Sequence, residues 1–77
     1  MTKSHYFIPT PTQCDFCSVA FPETVGTVMY DSKTVSGPWG CLCETCKLLI
    51  GYPGLGTGIA QKYVRAEDGR FWYSEGL

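Results

Sequence analysis

Two pairs of cysteines, Cys14-Asp15-Phe16-Cys17 and Cys43-Glu44-Thr45-Cys46, carry the clearest chemistry in this chain. Each Cys-x-x-Cys pair chelates from a single tight turn, and two such turns meeting at one ion give the tetrahedral four-thiolate arrangement of a structural zinc centre. The spacing also selects among the five cysteines. Putting Cys41 in place of Cys43 leaves four residues between the ligands and spoils the chelate. Cys14, Cys17, Cys43 and Cys46 are therefore the expected ligands of one structural Zn2+, and Cys41 is expected as a buried or half-buried free thiol. His5, the one histidine, lies outside both turns and reads as ordinary surface. A zinc ion closed by four thiolates keeps no open position for water or substrate, and no Ser-His-Asp set has a defensible spacing. No catalytic residue and no small-molecule substrate is expected. The pairs are more economically read as one metal site than as redox centres, so the expected protein is not an enzyme.

The need for such a site follows from size. A chain of 77 residues builds one small domain whose core leaves only ~3–5 kcal/mol of net stability, so a staple is required. An odd number of cysteines and no apolar leader after Met1-Thr2-Lys3 point to thiols in a reducing interior rather than disulfides. No run approaches the ~20 apolar residues of a membrane span. The expectation is a soluble cytoplasmic protein with no membrane partner. Six Lys and Arg against seven Asp and Glu give a formal charge of −1. Four thiolates contribute −4 and a divalent ion +2, taking the loaded protein to −3. That sign disfavours a protein that works by neutralising phosphates.

The elements that must position the cysteines follow in chain order. Residues 1–12 form an N-terminal arm along the domain edge, and 14–51 the zinc module. Within the module Phe16 is available to cover the metal, and Thr24 to Pro38 read as a β-hairpin with Asp31-Ser32-Lys33 as its turn and a bulge at Gly26. Glu44 to Ile50 has helix-forming composition, with Gly51 as its stop and Pro53 beyond. Trp39, just before the second chelating turn, is expected over the metal. A zinc turn, a hairpin and a second zinc pair opening a helix make a small α+β fold of treble-clef or zinc-ribbon type. A glycine-rich loop fills 52–60; it lacks the Gly-Lys-Ser/Thr ending of a phosphate-binding loop and reads as a close turn.

The segment Asp31-Ser32-Lys33-Thr34, the Gly37-Pro38-Trp39 run, the second cysteine pair, the stretch Gly54-Leu55-Gly56-Thr57-Gly58-Ile59-Ala60-Gln61-Lys62-Tyr63 and the Asp68-Gly69 hairpin resemble small zinc-finger-like proteins of tailed bacteriophages. The likeness covers most of residues 14 to 75. The chain departs from that pattern at Cys41, where a small or polar residue is usual, and at Ala60, where a glycine is. The resemblance implies a phage-encoded protein of the host cytoplasm, acting as an adaptor or inhibitor that binds a host or phage protein. The alternative is a nucleic-acid-binding finger, which requires Lys47, Lys62, Arg65 and Arg70 on one side.

Residues 61–75 read as a C-terminal hairpin around Asp68-Gly69, with two registers open. A two-residue turn places Val64, Ala66, Phe71 and Tyr73 on one face. A type I turn with a bulge at Gly69 places Val64, Ala66 and Trp72 opposite Tyr63, Arg65, Phe71 and Tyr73. In either, Val64 and Ala66 are expected toward the core and Tyr63 and Arg65 outward, so Tyr63, Arg65 and Trp72 are the expected partner-binding residues.

Overall fold

A computed structural model describes residues 5–77 of the chain. Four strands and one short helix follow one another as β1 (Val28–Lys33), β2 (Trp39–Leu42), α1 (Glu44–Ile50), β3 (Ala60–Arg65) and β4 (Phe71–Glu75). The strands form one antiparallel sheet in the order β2-β1-β3-β4. The fold is thus α+β, with α1 packed against β1 and β2.

The first hairpin turns later than the sequence reading placed it. Asp31, Ser32 and Lys33 lie inside β1, where Ser32 pairs with Gly40 on one side and Ala60 on the other and is fully buried. Small partners on both flanks let a serine fill a central position, its hydroxyl donating to the Lys33 carbonyl at 2.9 Å. The reversal falls at Thr34 to Pro38. Thr34 donates to the Pro38 carbonyl through both its N–H, at 2.9 Å, and its hydroxyl, at 2.8 Å, while Gly37 takes φ +117°. Asp-Ser-Lys has turn composition, but ladder bonds on both edges of β1 outweigh that local preference. Gly26 marks a bulge just before β1, as expected: at φ +96° its N–H donates to the Arg65 carbonyl at 2.9 Å while the Arg65 N–H donates to the Thr27 carbonyl at 2.8 Å, so two residues face one.

The C-terminal hairpin takes the bulged register. Tyr63 pairs with Tyr73, Val64 with Trp72 and Arg65 with Phe71, while the Ala66 N–H donates to the Arg70 carbonyl at 2.9 Å and Gly69 adopts φ +83°. Its faces are inverted relative to expectation. Tyr63 and Arg65 are 6% and 7% exposed, whereas Val64 and Ala66 are only half-buried. A core this small gains more from rings than from short aliphatics, since each buried aromatic removes ~150–250 Å² from water. Phe71, Tyr63, Met29 and Phe21 therefore take the interior, joined by Leu42 and three cysteines, Cys14, Cys41 and Cys46. Arg65 follows its strand inward, its guanidinium carbon 4.4 Å from the centre of the Phe71 ring.

The N-terminal arm lies along β4, as expected of an edge segment. Phe7 donates its N–H to the Phe71 carbonyl at 2.9 Å, and Tyr73 donates to the His5 carbonyl at 2.8 Å. His5 stacks on Tyr73 and its Nε2 is 3.2 Å from the Tyr63 hydroxyl. Residues 1–4 of the arm fall outside the described part. Helix α1 spans the expected residues and stops at Gly51, where an added Cβ would lie 2.5 Å from the Lys47 carbonyl oxygen. Glycine is required there by that close approach, since its φ of −72° is open to any residue.

Candidate metal centre

The first cysteine pair sits in a turn closed by its own backbone. Ser18 donates to the Cys14 carbonyl and Cys14 to the Val19 carbonyl, both at 2.9 Å, so the sulfurs of Cys14 and Cys17 are presented from one loop. The second pair opens α1. Cys43 is the N-cap, in extended conformation, and its Sγ accepts from the Cys46 N–H at 3.5 Å where a serine or aspartate oxygen commonly caps a helix. The next residue, Lys47, donates to the Cys43 carbonyl at 2.9 Å and locks the turn.

These turns bring the four sulfurs together. All lie within 4.8 Å of one another, and Cys17 Sγ is 3.8 Å from Cys43 Sγ. A tetrahedron with ~2.3 Å metal–sulfur bonds has edges of about 3.8 Å, so the cage has the dimensions of a four-thiolate site. Cys14 and Cys46 are buried, Cys43 is half-buried and Cys17 exposed. Donor type, number and spacing fit a soft, tetrahedral metal ion.

The electrostatics of the bare thiols point the same way. Burial pushes the Cys14 thiol up, but contacts with the Cys17, Cys43 and Phe16 backbones and the Cys17 sulfur outweigh it and bring Cys14 down to about 6. Burial raises Cys43 and Cys46; the Cys17 and Cys14 sulfurs add to the rise at both, while contacts with Cys46 offset part of it at Cys43. One thiolate thus forms readily and the next ones resist accumulating charge at close range. A divalent cation offsets that repulsion, which is the chemistry it would supply to this cage.

Asp15 was not singled out from the sequence, yet it joins the two halves of the site. Its carboxylate accepts from the Cys41 N–H at 2.8 Å, and its own N–H donates to the Cys41 carbonyl at 2.9 Å. The first turn is thereby docked on the outer edge of β2, two residues before Cys43. The available signal was an aspartate inside a tight turn, where this side chain often caps a backbone N–H. Cys41 lies in the core and is not one of the four clustered sulfurs. Burial first, then the Asp15, Asp31 and Cys14 charges, push its thiol up to about 12.

The chain matches no family model, no curated protein and no solved structure.

The expected partner-binding residues are not brought together. Tyr63 and Arg65 project into the core, while Trp72 lies on the opposite face of the hairpin, 4.9 Å from Tyr6 between ring centres and with its Nε1 donating to the Asp68 carboxylate at 3.0 Å. The outward placement of Tyr63 and Arg65 is thus corrected. Trp39 is 46% exposed and Phe16 is 61% exposed. Both line an open apolar groove with Val35, Pro38 and Ile50. In the glycine-rich loop the N–H groups of Gly56, Ile59 and Ala60 bond within the loop, and Gln61 Nε2 donates to the Gly56 carbonyl at 3.0 Å, as befits a close turn. Among the described residues no helix is long and apolar enough to cross a membrane.

Proposed function

We propose that Cys14, Cys17, Cys43 and Cys46 hold one structural Zn2+ in a treble-clef-like module, and that the stapled domain is a non-enzymatic phage-type adaptor or inhibitor that binds a host or phage protein in the host cytoplasm. The cage of four sulfurs within 4.8 Å carries the metal part of this reading. Two Cys-x-x-Cys turns and a closed thiolate set suit zinc, and a closed set favours a structural over a catalytic ion. The partner part is supported by exposed apolar side chains on and around the module, Val35, Trp39, Leu48 and Leu49 among them. Tryptophan at a half-open position is a common interface anchor.

The nucleic-acid reading loses a cation it requires. Arg65 is buried, Lys47 Nζ donates to the Tyr52 and Gly54 carbonyls, and Arg70 lies over Tyr6 and beside Asp68. The test has two arms. Metal analysis of the purified protein should return one zinc per chain. Capture of a defined partner from infected cells should persist at moderate salt and fall sharply in Trp39→Ser, whereas steeply salt-dependent retention on DNA or RNA would replace the protein-partner reading with the nucleic-acid one.

A further inference from the structure

Arg65 is a cation placed where a protein seldom leaves one alone. It is 7% exposed, and among the described residues the only hydrogen bond of its side chain is the one Nη1 donates to the Gly69 carbonyl at 2.5 Å. Its Nε–H is buried with no acceptor. The one ion pair among the described residues joins Arg70 to Asp68, so no carboxylate there makes direct contact with Arg65. A buried charge without a counter-charge is costly, and an unmade hydrogen bond adds to that cost. The face of the Phe71 ring offsets part of it, but a ring face accepts none of the in-plane N–H bonds.

Arg65 also forms part of the wall of a pocket of about 330 Å³ with Thr10, Pro11, Thr12, Phe21 and Glu23. With Nη1 engaged, the unpartnered edge of the guanidinium is the Nε–H and Nη2–H pair, whose two parallel donors match the two oxygens of one carboxylate. The Thr10 and Thr12 hydroxyls add donors, and Pro11 and Phe21 offer an apolar wall to a short carbon stem. Arg65 is the one cation of the lining and Glu23, on its exposed rim, the one acid; the lining is therefore near neutral, a balance that opposes a phosphate dianion more than a monoanion. We propose that this pocket is a carboxylate-binding site, in which the free edge of Arg65 receives a single carboxylate from a small organic acid or from an acidic residue of a bound polypeptide. The site shares no residue with the cysteine cage and stands apart from the metal and partner readings.

The test follows the Arg65 Nε–H resonance of the folded, metal-loaded protein by nitrogen-edited NMR during titration with acetate, with a blocked glutamate-containing peptide amide, and with inorganic phosphate. A saturable shift of Arg65 Nε–H and the Gly69 amide is expected with a carboxylate probe and not with phosphate. Saturation by acetate identifies a free acid as sufficient, and saturation by the peptide alone identifies a polypeptide source. Glu23→Gln, on the exposed rim, should tighten carboxylate binding several-fold by removing a like charge. Thr12→Val should weaken it several-fold without unfolding the protein. Equal response to phosphate and acetate, or shifts that never saturate and spread to Lys33 and Arg70, marks an adventitious ion only and overturns the proposal. So does a Glu23→Gln protein whose Arg65 Nε–H is already displaced without ligand, since Glu23 would then be the pocket's own occupant.

Discussion

At the scale of single residues, what separates one sulfur from another is the company it keeps. Cys41 stands two positions from a ligand, yet its neighbours are carboxylates and core side chains, and it is held as a neutral thiol. Cys41→Ser is expected to cost about 1–3 kcal/mol, the range for burying a hydroxyl without full compensation, while metal stoichiometry stays near one. Cys43→Ser or Cys46→Ser should instead release the metal, because thiolate ligation in finger domains supplies ~10–16 kcal/mol of apparent binding free energy at neutral pH. Native mass spectrometry of the four proteins decides the assignment, and loss of metal from the Cys41 variant would put that sulfur in the cage. Tyr63 gives a second residue-scale prediction. Burial, then nearby Asp31, Cys41 and Tyr73, raise its phenol above the ordinary value of 10.0. The folded chain therefore holds this proton more tightly than the unfolded chain. The associated stability is complete below pH 10 and is lost as pH rises through the raised folded value. Urea denaturation of Tyr63→Phe should show a shallower alkaline loss than wild type, with only about 1 kcal/mol sacrificed at neutral pH for the His5 hydrogen bond.

At the scale of elements, the two cysteine turns are joined by something neither contains alone. The paired bonds between Asp15 and Cys41 fix the first turn to β2, and β2 runs directly into the second. Supporting contacts behind a metal site typically change affinity about 10–100-fold when removed, so Asp15→Ala should weaken zinc by that order in a competition with a chromophoric chelator. An unchanged affinity would show that chelation alone orders the turn. The elements also show where local sequence rules hold. Ligand spacing, helix bounds and the Asp68-Gly69 reversal were legible because each is fixed within a few residues by chelate geometry, capping or turn chemistry. The turn at Asp31-Ser32-Lys33 and the outward faces of Tyr63 and Arg65 were not. Both depend on partners distant in the chain: β1 becomes a central strand only once β2 and β3 flank it, and the inner face of β3 is decided by which rings Phe21 and Phe71 bring to it. Asp15 escaped notice because its acceptor role needs an N–H far along the chain.

At the scale of the whole molecule, the metal cage and the aromatic end are parts of one core. Cys14 and Cys46 belong to the same buried cluster as Met29, Tyr63 and Phe71, with Phe7 and Tyr73 packed against it. A chain of 77 residues has little stability to spare, so loss of the staple should propagate through that cluster rather than stop at the cysteine turns. Trp72 is placed to report this, being on β4 beside Tyr6 and remote in sequence from every ligand. In a Trp39→Phe protein Trp72 is the sole tryptophan, since the chain has two. On addition of a strong zinc chelator its emission should move to the red as the half-buried ring becomes solvated, in step with loss of the far-ultraviolet strand signal. A single transition shared by both probes identifies the ion as the staple of the entire sheet. If Trp72 keeps its emission while the residues around Cys14 and Cys43 lose amide protection, the aromatic end stands without metal, and the ion only orders the edge formed by the two turns, β2 and α1.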